Sequence, residues 1–347
     1  MLNRTLIIRA DASAKIGSGH LMRCIALAQF YKSKNMGDII FITCCSNDAL
    51  LTFIIDNGFQ VVRLEKAYPD PKDLEMMSRI LYDNTVSWVV LDGYHLDSAY
   101  QLNLKNKGCR LLVIDDMNHL HHYYADLLLN QNIDAENFNY SCDQNSRLLL
   151  GTRYILLRHE FLAFKERKKK NYQIARRMMV SLGGADPNNV TLEIIHSLCK
   201  LRISGFHVKV IAGPSHPQIS SLRKAADMAP FPIEIFHSVR KMANFMAWAD
   251  LAISAGGTTC WELAYMRVPF AVVILAKNQE KIALGLHDAT AAINLGWYSS
   301  LTSEALTDCL LNLIENKDKR MELSSNGKNL VDGLGVERVQ KQMVIIS

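Results

Sequence analysis

The chain has 347 residues, long for one hydrophobic core, so two domains are expected. Its 39 Lys and Arg against 34 Asp and Glu give a net charge of +5, compatible with an anionic ligand but too weak and dispersed to indicate nucleic acid. No apolar run approaches the roughly 18 residues needed to span a bilayer, the opening MLNRTLIIRA lacks the form of a signal peptide, and eight scattered cysteines with no Cys-x-x-Cys suit reduced thiols, so a cytoplasmic protein is expected.

Residues 5–8 form a short apolar, β-prone run. It enters the stretch RADASAKIGSGHLMRCIALA, in which Gly17 and Gly19 precede His20. After His20, Leu21, Ile25 and Ala28 recur at helical spacing. The pattern is strand, glycine loop, helix, with a histidine in the first helical turn. A helix N-terminus attracts phosphate through its unpaired N–H groups, and glycine lets a backbone approach an anion. The same partial charge disfavours an imidazolium, so His20 is expected to stay neutral and able to accept a proton.

Further strands are expected at 39–43, 61–64, 88–91 and 111–114, with helices at 48–57, from about 71 to 83 and from about 97 to 106. Repeated βα units of this length imply a doubly wound parallel sheet, whose ligands bind beyond the carboxyl ends of the strands. The loops at Gly17–His20, at Asp92-Gly93-Tyr94-His95 and at Asp115-Asp116 then open on one crevice. Asp92 and Asp115 are candidates for the site, or simply caps of the next helix or turn. Tyr94 is either a packed surface aromatic or a contact for a sugar or pyrimidine. The spacing of His119, His121 and His122 fits no single helix face, and no metal site is expected there. Residues 130–147 are polar and read as loop, 151–158 close the first domain, and 161–176 form a charged linker. Within the linker the basic run KERKKK, residues 165–170, reads as a solvated face, with contact to an anionic membrane surface as the lesser alternative.

The second half repeats the design. A strand at 178–181 runs into Gly183-Gly184-Ala185-Asp186 and a helix from about 190 to 201. Strands follow at 208–212, ending in Gly213-Pro214, then at 233–236 and 251–254. Next comes Ser254-Ala255-Gly256-Gly257-Thr258-Thr259-Cys260-Trp261-Glu262, where glycines and hydroxyl residues precede a helix start and suit a diphosphate. Glu262 lies a turn further on, placed either to accept hydrogen bonds from ribose hydroxyls or only to complement the helix dipole. A strand at 270–275 leads to Lys277-Asn278-Gln279-Glu280, and about 302–339 is largely helical. Neither half has the dinucleotide pattern G-x-G-x-x-G after a strand, which disfavours a dehydrogenase, and no P-loop occurs.

The opening IGSGHLMRCIALA resembles the G-x-G-H-x-x-R start of the UDP-sugar hydrolases of pseudaminic acid biosynthesis, which act on UDP-2,4-diacetamido-2,4,6-trideoxy-β-L-altropyranose. The resemblance continues in order through LDGYHLD, VIDD, LLGTRYILLRHEF, SLGGADPNN, AISAGGTTCWELAYMRVPF and KNQ. More distantly, the second half is similar to the N-acetylglucosaminyltransferase of peptidoglycan synthesis. The resemblance implies a GT-B fold, two Rossmann-like domains facing each other across a cleft, divided as 1–160, a linker at 161–176, and 177–347. It implies that water attacks the anomeric carbon and UDP leaves with inversion, with no cofactor and no metal. It makes His20 the general base and places Tyr94 and Asn278 near the reacting centre. It assigns the UDP loop to Gly256, Gly257, Thr258 and Thr259, the ribose to Glu262, and the uracil to backbone near Val239 and Met242. Gly17, Gly19, Gly183, Gly184, Gly213 and Gln279 are further substrate-binding candidates in the shared motifs. Arg23 contacts phosphate or an N-acetyl group, or merely pairs with Asp11. A monomer is the working expectation, with a UDP-sugar and UDP as ligands. The rival readings are a GT-B glycosyltransferase using a UDP-amino-sugar donor and a non-catalytic nucleotide-sugar-binding protein.

Overall fold

A computed structural model describes residues 4–13, 15–166 and 172–346. Residues 167–170 of the basic run lie outside the described residues. The chain divides into two compact units. One gathers 1–13, 20–159 and 333–347, and the other gathers 14–19 and 160–332.

The first unit is built on seven strands: β1 (Thr5–Ala10), β2 (Ile39–Thr43), β3 (Gln60–Arg63), β4 (Val86–Asp92), β5 (Leu111–Ile114), β6 (Leu127–Asn130) and β7 (Arg147–Leu150). They pair in the order β3-β2-β1-β4-β5-β6-β7, every neighbour parallel. A parallel sheet is covered on both faces, and its central strands are correspondingly rich in apolar residues. Successive side chains alternate between faces. Leu6 and Ile8 of β1 join Phe41, Val90 and the helix Gly19–Ser33 in one core, whereas Ile7 joins Ile42, Val89, Met77 and Tyr100 in the other. Helix starts follow the local chemistry. Asn47 accepts from the Leu50 N–H, and Asp97 from the Tyr100 N–H. Asp70 precedes the helix Pro71–Asp83, with Pro71 in its first turn and the Lys72 N–H donating to the Asp70 carboxylate.

The second unit has six parallel strands: β8 (Arg177–Ser181), β9 (His207–Ala212), β10 (Ile233–His237), β11 (Leu251–Ala255), β12 (Phe270–Ile274) and β13 (Ile293–Trp297). Their order is β10-β9-β8-β11-β12-β13. In both sheets the winding direction reverses once, between β1 and β4 and between β8 and β11. Those reversals are where open α/β sheets take ligands.

Four points depart from the sequence reading. β6 lies at 127–130, β7 at 147–150 and β13 at 293–297, where no strand is expected from periodicity. Asp92 does not cap the next helix, since Asp97 does. The segment taken as a linker begins inside the fold, with Phe161 fully buried in the short helix His159–Leu162. The last helix, Gly335–Ile346, does not stay with the second domain. Its Val336, Val339 and Met343 are buried in the core of the first unit beside Leu21 and Ile25.

Candidate functional site

The reversal in the first unit gathers a compact set of charged side chains. His20 is the second residue of the helix that follows β1, and Asp92 is the last residue of β4. His20 Nδ1 stands 2.6 Å from Asp92 Oδ1. A carboxylate only accepts, so Nδ1 carries the proton and Nε2 is left as the acceptor in the neutral ring. The imidazole is 7% exposed, which restricts its access to water. The Tyr94 ring meets it edge-on, 5.1 Å between centroids. The Asp92 carboxylate therefore fixes the tautomer in which Nε2 is the accepting nitrogen.

Arg23 lies one turn along the same helix. Its Nε donates to Asp92 Oδ2 at 2.6 Å and its Nη2 to Asp92 Oδ1 at 2.7 Å. Its Nη1 donates to Asp116 Oδ1 at 2.7 Å and Nη2 also to Asp116 Oδ2 at 2.9 Å. Burial alone pushes the Asp92 carboxyl up, but the Arg23 guanidinium and then His20 hold it well below the usual carboxylate range. Asp116 in turn accepts from the Tyr94 hydroxyl at 3.0 Å and from Asn132 Nδ2 at 3.0 Å. One chain of contacts thus runs His20–Asp92–Arg23–Asp116–Tyr94.

Arg23 does not pair with Asp11. Asp11 belongs to a neighbouring cluster at the ends of β1 and β2, where it accepts from Arg9 at 2.6 Å, from Thr43 Oγ1 at 3.1 Å and from the Cys44 N–H at 2.6 Å. Arg9, fully buried, also bonds Asp73, and His95 Nε2 lies 3.2 Å from Asp11. Burial pushes Asp11 up, and the contacts from His95 and Arg9 bring it well below its ordinary value. Asp115 organises a turn as well as a network: it accepts from the Met117 and Asn118 N–H groups, His119, Tyr123 and Tyr140. His122 faces Ser141 and Asp143. Among the described residues no group of three or more His, Cys, Asp or Glu side chains is arranged to hold a metal ion.

In the second unit the candidate residues fall at the reversal between β8 and β11. Gly183 and Gly184 follow β8, and Gly213 follows β9. A Cβ on Gly213 would stand 2.4 Å from the carbonyl oxygens of both Gly183 and Gly184, so the two loops pack backbone to backbone. Residues 15–19 cluster with this unit: a Cβ on Gly184 would meet Ser18 Oγ at 3.0 Å, and one on Gly19 would meet Thr258 Oγ1 at 3.5 Å. Gly17 has φ +73°, a conformation that favours glycine. Gly256 is the first residue after β11, and a Cβ there would meet Gln279 at 2.9 Å. Gln279 Oε1 accepts from the Leu275 N–H, so its role in the free protein is to tie the start of the helix Lys277–Asp288 to β12. Gly257 has nothing within 4 Å of its Cβ position. Thr258 and Thr259 are half-buried at the start of the helix Thr259–Tyr265, and Glu262 is 9% exposed within it. Val239 and Met242 flank the turn after β10, half-buried, and Asn278 is exposed in the first turn of its helix.

The structure therefore groups His20, Arg23 and Tyr94 in one unit, and Gly183, Gly184, Gly213, Gly256 to Thr259, Glu262 and Gln279 in the other. Sequence reasoning put the Asp115-Asp116 loop on the crevice without giving Asp116 a role, and left Asp92 between a site residue and a cap. The signal for Asp92 was present: an Asp ending the strand beside β1 sits at the sheet's reversal.

Residues 178–337 match the Glycosyltransferase family 28 C-terminal domain. The spore coat polysaccharide biosynthesis protein SpsG of Bacillus subtilis is 24% identical over 336 residues, 96% of this chain and 95% of that protein. The UDP-2,4-diacetamido-2,4,6-trideoxy-beta-L-altropyranose hydrolase of Campylobacter jejuni is 25% identical over 285 residues, 81% of this chain and 95% of that protein. Protein MJ1062 of Methanocaldococcus jannaschii is 26% identical over 283 residues, 79% of this chain, and the match spans 56% of that longer relative. Among solved structures, MurG of Acinetobacter baumannii superposes with a TM-score of 0.66 at 14% identity, covering 98% of this chain and 99% of that one. The chain has the GT-B fold, carries a second half that matches the family 28 C-terminal domain, and is related at about a quarter identity to SpsG and to the Campylobacter hydrolase.

Proposed function

We propose that the protein is an inverting UDP-sugar hydrolase whose substrate is UDP-2,4-diacetamido-2,4,6-trideoxy-β-L-altropyranose, acting in pseudaminic acid biosynthesis. The observation that carries this reading is the 2.6 Å contact between His20 Nδ1 and Asp92, which leaves Nε2 as a proton acceptor. The similarity to a relative of that name, over 95% of its length, supports the substrate class. In this reading water attacks the anomeric carbon and gives its proton to His20 Nε2. The bond between C1 and the diphosphate oxygen breaks, and UDP leaves with the electron pair. Tyr94 and Asn278 flank the reacting centre. The loop Gly256 to Thr259 holds the diphosphate, Glu262 the ribose, and the segment around Val239 and Met242 the uracil, with Gly183, Gly184 and Gly213 shaping the neighbouring wall. Arg23 positions His20 and Tyr94 through Asp92 and Asp116 rather than binding substrate, because its guanidinium is already held by two carboxylates.

The test is UDP release from that UDP-sugar by the purified protein with no acceptor present, followed by NMR of the first anomer formed. Release with inversion is expected. His20→Asn is expected to bind UDP as the native protein does while losing about 10²–10⁴ in rate, the range of a general base. Undiminished turnover by that variant overturns the assignment of the base. The glycosyltransferase reading is favoured by the family 28 match and by the MurG-like fold. It prevails if UDP appears only once a sugar or lipid acceptor is added.

A further inference from the structure

His119 stands behind Tyr94, and both of its ring nitrogens face atoms that can only accept. Nδ1 lies 2.9 Å from Asp115 Oδ1, and Nε2 lies 3.1 Å from the Tyr94 backbone carbonyl oxygen. A neutral imidazole has one N–H and satisfies one of these partners, whereas the imidazolium satisfies both. We infer that His119 is a positioning residue which, as the imidazolium, ties the Tyr94 segment to Asp115 and so fixes the Tyr94 ring over His20.

The surroundings favour the charged form. Asp115 and Asp116 follow the end of β5, and the Tyr123 and Tyr140 hydroxyls also donate to Asp115, at 3.0 and 2.7 Å. The Tyr94 and Tyr123 rings meet His119 edge-on, at 5.5 and 6.4 Å. Arg23, on this side, is bracketed by Asp92 and Asp116. The hydrogen bond to Asp115 raises the His119 pKa above its ordinary value against the opposing effect of burial. Tyr94 is then held at two points, its hydroxyl on Asp116 and its carbonyl on His119. Above the His119 pKa the one remaining N–H goes to the Asp115 carboxylate, and the hydrogen bond to the Tyr94 carbonyl is lost.

The importance of Tyr94 for turnover rests on the proposed hydrolysis; the protonation state of His119 does not. Nitrogen-15 NMR of the full chain is expected to show both His119 nitrogens protonated at pH 6.5, with titration above the ordinary value of about 6.5. Amide exchange at residues 93–96, corrected for its intrinsic pH dependence, is expected to quicken about fivefold as pH rises through that titration. His119→Gln has one donor end and stays neutral, so its exchange should be fast and independent of pH, and its alkaline limb in kcat for UDP release should vanish. A His119 that titrates at or below 6.5, or a variant whose exchange matches the native protein at pH 6.5, overturns the inference. If no UDP is released at all, the proposed reaction falls, and NMR and exchange still decide the role of His119.

Discussion

His20 and Asp92 come from helix and strand segments 72 residues apart, and their contact does two jobs. It sets which ring nitrogen accepts, and with Arg23 it closes a buried charge cluster. Asp92→Asn keeps the size but replaces an acceptor-only group with one that also donates. The tautomer of His20 is then no longer fixed, and the rate of UDP release is expected to fall by about 10²–10⁴. The same change leaves Arg23 buried with Asp116 as its remaining carboxylate partner. Breaking a buried pair costs about 3–5 kcal/mol, and the surviving Asp116 contact places this variant toward the lower end. The sign with pH follows from the direction of the shift. The folded Asp92 carboxyl lies below its unfolded value, so its contribution is fully present above the unfolded pKa of about 4 and drains away as pH falls from there toward the folded value. Urea titrations should find native and variant separated at pH 7 and converging below pH 4. A gap that persists unchanged to pH 3 would show that Asp92 does not stabilise the fold as a carboxylate. At this scale His20 was legible because a histidine beside two glycines at a helix start is a local pattern. The roles of Asp92 and Asp116 were not, because whether an Asp after an apolar run caps a helix or meets a distant arginine is settled by strand order.

The glycine loops after β8, β9 and β11 separate packing from binding. Gly213 has no room for a Cβ: two carbonyl oxygens of the β8 loop occupy its place, and backbone cannot rotate away as a side chain can. Gly213→Ala is expected to cost about 1–3 kcal/mol, read by thermal or urea unfolding. Gly257 has open space around the same position, so Gly257→Ala should leave the unfolding midpoint unchanged. If the loop Gly256 to Thr259 receives the diphosphate, the added methyl occupies ligand space and UDP affinity measured by calorimetry should fall at least about tenfold, or 1.4 kcal/mol. Native affinity in Gly257→Ala would remove the diphosphate from this loop. Most strands could be read from the sequence because fully buried parallel strands form short apolar runs bounded by turn residues. β6 and β7 escaped because LLLN and RLLL are four residues each beside polar segments, too short to carry a period. β13 escaped because INLGW is only half-buried at the edge of its sheet and contains Asn294 and Gly296.

At the level of the whole molecule, length and the βα alternation are enough to indicate two domains, but not which core each segment covers. Val336, Val339 and Met343 recur on one face of the last helix, a spacing that shows the helix is amphipathic and is silent about its partner. The structure supplies the partner. Those three side chains lie in the core of the first unit, Gln342 accepts from Arg147, and Arg338 donates to the Arg153 carbonyl. The helix begins where a Cβ on Gly335 would stand 2.2 Å from the Ile155 carbonyl oxygen, so glycine is required for the backbone to come so close. Burying an aliphatic side chain contributes roughly 1.5–3 kcal/mol, and three of them are a large fraction of the ~5–15 kcal/mol that holds a typical domain folded. Deleting residues 333–347 is therefore expected to destabilise the first unit selectively. Hydrogen exchange read by mass spectrometry should show peptides of β1 and the helix Gly19–Ser33 losing protection while peptides of β8, β9 and β11 keep theirs. Gly335→Ala should move protection in the same direction by a smaller amount, because it dislodges the helix start without removing the apolar face. Equal loss of protection in both units would mean that the last helix stabilises the chain as a whole, and full retention in β1 would mean that its burial contributes nothing to the first core.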